Sequence, residues 1–202
     1  ANGYQSLMSN TTGRHNSAIG NQSLMSNITG YQNSAFGNQA LTSNTNGFRN
    51  VAIGYQASLN STGAYRNTAI GGLAIANTTG RNTVGIGYNA GYNNTTGNHN
   101  TFLGAYTNIN PTSATWTRST AIGIDSKITA SSQLVLGDSS TTVHVPYRIG
   151  IGTTVTSQAP LCVNGYIDYV DPNTSNHDVN LFVQNIPGGG SEGFSANYGF
   201  KK

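Results

Sequence analysis

Charge is what this chain has least of. Asp, Glu, Lys and Arg make up 7% of its 202 residues, where soluble domains average roughly 25%. The deficit is uneven, because residues 1–124 hold no Asp, Glu or Lys and the first acidic residue is Asp125. Paired-carboxylate chemistry of the kind that cleaves sugars is thereby excluded from that stretch. Cysteine is almost absent as well, and the lone Cys162 rules out an internal disulfide framework. It reads as a small buried apolar residue in a strand. No apolar run approaches the roughly 20 residues of a membrane-crossing helix, so no membrane insertion is expected. The first residues lack the basic start and apolar core of a secretory leader, which leaves the compartment open. The cations of the acid-free stretch are Arg14, Arg49, Arg66, Arg81 and Arg118. They are too sparse for the dense basic patches that hold nucleic acid, and no nucleic-acid partner is expected.

Catalytic and metal-binding groupings are equally scarce. His15, His99, His144 and His177 stand alone, without paired ligand spacing. His144, in the alternating run Thr141-Thr142-Val143-His144-Val145, is the one that a threefold axis could bring together. Asp168 and Asp171 precede Pro172-Asn173 and read as part of a turn. No Gly-x-Ser-x-Gly elbow occurs. The expectation is a protein without catalytic residues, metal or cofactor, and not an enzyme.

Asn, Ser, Thr, Gly and Tyr take the place of charge. These residues suit turns and pleated surfaces and add little to helices, so the chain reads as all-β. They recur with a period. Ala18-Ile19-Gly20 returns as Ala35-Phe36-Gly37, Ala52-Ile53-Gly54, Ala69-Ile70-Gly71, Gly85-Ile86-Gly87, Phe102-Leu103-Gly104 and Ala121-Ile122-Gly123, the glycines advancing by 17, 17, 17, 16, 17 and 19 residues. A second series, Gly13, Gly30, Gly47, Gly63, Gly80 and Gly97, follows Asn10, Asn27, Asn44, Asn60, Asn77 and Asn94 at three residues. Two turns per unit follow from the two series. A unit so small cannot bury a core alone, but stacking puts like positions in register. The pattern predicts a β-solenoid or β-roll of about 17-residue repeats.

Stacking turns columns into ladders. The spacing places Ile19, Phe36, Ile53, Ile70, Ile86, Leu103 and Ile122 inside the coil, opposite Leu7, Leu24 and Leu41. The alanines Ala18, Ala35, Ala52, Ala69 and Ala121 then point outward, because side chains alternate along a strand. Asn16, Asn33, Asn50, Asn67, Asn82 and Asn100 form a hydrogen-bonded turn ladder. At about 4.8 Å per coil, seven coils give a rod of roughly 35 Å with a thin core. Three such rods joined along the alanine face would bury a second apolar surface, and a parallel homotrimer is expected.

One stripe is a binding candidate. His15, Gln32, Arg49, Arg66, Arg81, His99 and Arg118 precede the asparagine column, with Tyr31, Phe48 and Tyr65 one position earlier. Aromatic faces pack on sugar rings and guanidinium groups pair with carboxylates, so Arg49, Arg66, Arg81, Tyr31, Phe48 and Tyr65 are candidates for a host surface polysaccharide. The plainer alternative is that they stack and solvate the rod.

Asn16-Ser17-Ala18-Ile19-Gly20 and Asn67-Thr68-Ala69-Ile70-Gly71 resemble the Asn-Ser-x-Ala-Ile-Gly units of YadA-type trimeric adhesin heads, one residue shorter. Gly54-Tyr55-Gln56-Ala57 leading to Asn77-Thr78-Thr79-Gly80 is still more similar to repeats of phage and large-virus tail-fibre proteins. Ile149-Gly150-Ile151-Gly152-Thr153-Thr154 and Pro160-Leu161-Cys162-Val163-Asn164-Gly165 resemble segments that precede the intramolecular chaperone domains of phage fibres. The resemblance implies a trimeric fibre segment on a virion surface, meeting other fibre proteins and a host receptor. A bacterial adhesin head at the cell surface is the alternative it also implies.

The period breaks near Asp125, and the chain divides into a repeat domain, 1–137, and a neck with a small β region, 138–202. Pro187-Gly188-Gly189-Gly190-Ser191 reads as a linker. Thr12, Thr29, Thr62, Thr79 and Thr96, interrupted at Asn46, suggest an ice-binding solenoid as a third and lower-ranked class. Asn10, Asn27, Asn60, Asn77 and Asn94 begin N-glycosylation triplets at turns, which would expose them in a eukaryotic host.

Overall fold

A computed structural model of the chain describes residues 1–110, 115–141 and 143, and the backbone of 149–151 and 161–163. Two compact units divide the chain, Ala1–His144 and Val145–Lys202. Cys162's side chain, His144, Asp168, Asp171, His177 and the glycine-rich 187–191 lie outside the described residues.

The first unit is the parallel β-solenoid that the repeat predicts, and no helix occurs among the described residues. Its strands are β1 (Ser17–Ile19), β2 (Ser34–Phe36), β3 (Val51–Ile53), β4 (Thr68–Ile70), β5 (Val84–Ile86), β6 (Thr101–Leu103), β7 (Asn108–Ile109), β8 (Thr120–Ile122), β9 (Lys127–Ile128) and β10 (Leu134–Leu136). An eight-stranded parallel sheet takes them in the order β1-β2-β3-β4-β5-β6-β8-β10, while β7 pairs with β9. Register follows the repeat, with Ala18 opposite Ala35, Ala35 opposite Ala52, and Ala52 opposite Ala69. In the second unit, β11 (Ile149–Ile151) pairs in parallel with β12 (Leu161–Val163).

The strand faces are the reverse of the expected ones. Ala18, Ala35, Ala52, Ala69 and Ala121 point inward and are buried. Ile19, Ile53, Leu103 and Ile122 point out, with exposures of 50%, 41%, 43% and 37%, while Phe36, Ile70 and Ile86 on the same face are half-buried. The opposite wall behaves as predicted: Leu24 and Leu41 are buried, with Leu7 packed against the same core. The reason is volume. Leu24, Leu41 and Ile75 already fill the narrow interior from one wall, and a close-packed core leaves alanine-sized space on the other. Parity adds a second reason. Ser17, Ser34 and Thr68 share the face of Ile19, Phe36 and Ile70, so burying the isoleucines would also bury a column of hydroxyls.

Asparagine closes each coil. Asn33, Asn50 and Asn67 are buried, and each accepts at Oδ1 from the backbone N–H of the next coil, as Asn50 does from Asn67 at 3.0 Å. Their Nδ2 atoms donate to Gly47, Ala64 and Gly80 carbonyls at 2.8 Å. The expected ladder therefore exists, with one correction. The coil after Asn67 is a residue short, and Thr83, not Asn82, takes the inward place and donates its N–H to Asn67 Oδ1. The second asparagine series changes in the same way. Asn10, Asn27 and Asn44 are bonded amide to amide at 2.7 and 2.8 Å, but Ser61 and Thr78 follow inside, while Asn60 is exposed and bonds Asn77 at 2.9 Å.

Corner glycines set how closely the coils stack. Gly54 has φ of +131°, and a Cβ there would lie 2.7 Å from both the carbonyl carbon and oxygen of Gly71. Gly54→Ala is expected to cost about 1–3 kcal/mol for the strained φ alone, read as a lowered urea midpoint. Gly72→Ala is the control, because its Cβ would meet the Tyr88 ring at 3.2 Å and come no nearer to backbone than 3.8 Å, from the Tyr55 carbonyl oxygen. Equal effects of the two would show that the backbone contact does not govern the stacking.

Candidate functional site

The three residues before each strand turn one corner of the coil. The third is the inward asparagine or its substitute. The second has positive φ in every coil: His15, Gln32, Arg49, Arg66, Asn82, His99, Arg118 and Ser132 lie between 52° and 63°. This geometry turns each N–H to the preceding coil, so that Arg49 N donates to Tyr31 O, Arg66 N to Phe48 O, Asn82 N to Tyr65 O and His99 N to Arg81 O, at 3.0 to 3.2 Å. The first position is thus Arg14, Tyr31, Phe48, Tyr65, Arg81 and Asn98. Arg81 belongs to the aromatic column and not to that of Arg49 and Arg66, again because its coil is one residue short.

The aromatic column is a closed stack. Tyr31 and Phe48 are 4.9 Å apart at 3°, and Phe48 and Tyr65 are 4.9 Å apart at 6°. Guanidinium groups cap both ends, Arg14 Cζ 5.1 Å from the Tyr31 centroid and Arg81 Cζ 5.7 Å from that of Tyr65. Arg81 Nη1 also donates to Tyr65 Oη at 2.6 Å, and Arg66 Cζ approaches the same ring at 5.9 Å. In the adjacent column Arg49 Nε donates to Gln32 Oε1 at 3.0 Å, and Asn82 Nδ2 lies 3.2 Å from His99 Nε2. The six candidate residues are therefore together on one corner. Neighbouring rings and guanidiniums lie against the ring faces within the stack.

Arg14, Arg49, Arg66, Arg81 and Arg118 all fall on this corner and are exposed. Among the described residues the acids are Asp125 and Asp138, and neither is bridged to an arginine. Asp125 pairs with Lys127 at 3.2 Å. Asp138 accepts from Ser140 Oγ at 2.7 Å and Thr141 Oγ1 at 2.9 Å, bonds that hold its carboxyl below the usual range. The sequence placed Arg49, Arg66, Arg81 and Arg118 in one row, but the place of Arg14 at the same corner and the shift of Arg81 into the aromatic column needed the coil register.

The outward sheet face is a second distinctive surface. Ile19, Phe36, Ile53, Ile70, Ile86, Leu103, Ile122 and Leu136 run along it beside Ser17, Ser34, Val51, Thr68, Val84, Thr101 and Thr120. The threonine column is less continuous than expected. Thr62 sits with Thr45, whose N–H it accepts at 2.9 Å, and Gly63 lies beside Asn46, so two successive coils carry no threonine there. Of the glycosylation triplets, Asn27 and Asn94 are buried, and their turns do not expose them. No cluster of three metal-ligating residues occurs among the described residues, and no helix there is long and apolar enough to cross a membrane. Comparison with known protein families, with curated proteins and with solved structures found no match.

Proposed function

We propose that this chain is a rigid segment of a homotrimeric fibre on a virion surface, a spacer that also contributes to attachment to a host surface glycan or receptor, and not an enzyme. The observation that carries the reading is the outward apolar ladder. A continuous strip of Ile, Phe and Leu runs the length of the sheet, roughly 35 Å at the usual strand spacing. Nothing in the described part of the chain covers it. Burying one such side chain fully from an exposed state contributes about 1.5–3 kcal/mol, and the part of each that is still exposed adds a share of this along the whole strip, so the strip favours association with further copies. Three parallel copies suit it because the two columns are unequal. The bulky column of one copy can pack over the Ser, Val and Thr column of the next, a head-to-tail contact that closes on a threefold axis. The proposed interface is thus the isoleucine face and not the alanine column, which fills the coil interior. The resemblance of the repeats to fibre and adhesin units supports the same reading, and a bacterial adhesin head would use the coil in the same way.

The test is the mass in solution. The intact chain at micromolar concentration should scatter light as a trimer, and Ile53→Asn with Ile70→Asn should shift it to monomer while the β circular dichroism persists. A monomeric or dimeric parent chain would sink the proposal. So would a double variant that stays trimeric.

A further inference from the structure

We infer that the arginine corner is a binding site for a linear acidic polysaccharide, carrying carboxylate or sulfate on successive units and lying along the rod axis. The inference deepens the attachment reading above by naming the ligand class and the contacts. Arg14, Arg49, Arg66, Arg81 and Arg118 occupy the first, third, fourth, fifth and seventh coils of one corner, with His15 and His99 in the first and sixth. At about 4.8 Å per coil the line spans roughly 29 Å. The cations stand in two adjacent columns, Arg14 and Arg81 in one and Arg49, Arg66 and Arg118 in the other, and this narrow strip along the axis matches a chain-like anion, whereas a folded partner would need a broader footprint.

The electrostatics are one-sided. No carboxylate among the described residues pairs with any of the five arginines, so their charge is open to a partner. Four of the five guanidiniums, those of Arg14, Arg49, Arg66 and Arg81, already have contacts before any ligand arrives. Arg14 and Arg81 lie against the end rings of the stack, Arg81 donates to Tyr65 and Arg49 to Gln32. Each of these contacts uses at most one of five N–H groups, leaving donors for bidentate bonds to carboxylate or sulfate. The stack therefore backs Arg14, Arg66 and Arg81, and Gln32 holds Arg49.

The same stack argues against nucleic acid. Single-strand binding relies on aromatic faces that accept bases, and here those faces are covered by one another and by guanidiniums. An anion without bases loses nothing by this.

The experiment measures retention of the full chain on immobilised polygalacturonate, heparin, neutral dextran and single-stranded DNA across a salt series, with light scattering on the same samples. Binding to polygalacturonate or heparin, with dextran silent and DNA weaker at equal salt, is the expected result, and the two acidic glycans separate carboxylate from sulfate recognition. The combined Arg49→Gln, Arg66→Gln and Arg81→Gln variant should bind at least about tenfold more weakly, with a salt slope shallower by about 2–3, as expected for three lost ionic contacts. Lysine at the same positions should keep the salt slope and lose part of the affinity. A triple glutamine variant that binds like the parent, or DNA held as tightly as the acidic glycans, overturns the inference. A monomeric chain that binds acidic glycan keeps the site and defeats the fibre reading, and a trimer that ignores acidic glycan does the reverse.

Discussion

Phe102→Ala is expected to lower the unfolding free energy by about 3–5 kcal/mol, the range for removing a buried aromatic ring. Phe102 is the largest fully buried side chain of the described residues, and it stands in a column that from β1 to β8 is otherwise filled by alanine or glycine, with Val135 following on β10. Its space comes from two glycines. Gly85 is its register partner on β5, and Gly91 faces the ring, where a Cβ would lie 2.6 Å from Phe102 Cδ2 and 2.7 Å from Ile75 Cγ2. Large and small have been exchanged across the coil interior, keeping its volume nearly constant. Gly91→Ala alone should therefore destabilise by about 1–3 kcal/mol through overpacking and its φ of +68°. In the Phe102→Ala background part of that cost should vanish, a coupling that a double-mutant cycle in urea resolves. A loss below about 1 kcal/mol for Phe102→Ala would mean that the ring is not the core of its coil.

Asn50→Ala should be the second severe change. Asn50 is buried, accepts from Asn67 N at 3.0 Å and donates to the Ala64 carbonyl at 2.8 Å. Alanine leaves both backbone groups without these partners, and each orphaned buried group costs about 1–3 kcal/mol. Asn50→Asp separates the two roles. The carboxylate still accepts from Asn67 but faces the Ala64 carbonyl without a proton to offer, so at neutral pH it should be destabilising and should recover as acid protonates it. The measurement is the urea midpoint of parent and variants across pH. An Asp variant as stable as the parent at neutral pH would show that the donor bond to Ala64 is dispensable.

The sheet-face reversal shows where sequence reading stopped. Ala18 and Ile19 are both apolar, and the alternation of a three-residue strand has the same period whichever residue points in. Charge normally settles the choice by marking the wet face, and this stretch has almost none. The hydroxyls of Ser17, Ser34 and Thr68, two residues before each large side chain, were the available signal, because they share a face with it. The candidate site followed a similar course. The recurrence of Tyr31, Phe48 and Tyr65 was plain, but the 16-residue coil moves Arg81 beneath Tyr65 and Asn82 out of the inward column, a shift that fixed spacing cannot reveal.

The sequence alone determined the all-β class, the stacking of coils, the glycine corners and the asparagine ladder. Each depends on like residues recurring at one period, and a stacked coil brings such residues together whatever fills its interior. Tertiary structure alone decided which strand face lies inside, which ring faces are covered and that Arg14 and Arg81 fall in the aromatic column. Those outcomes depend on how much volume the opposite wall leaves and on where a shortened coil takes up its missing residue, which are properties of the closed coil and of no single repeat.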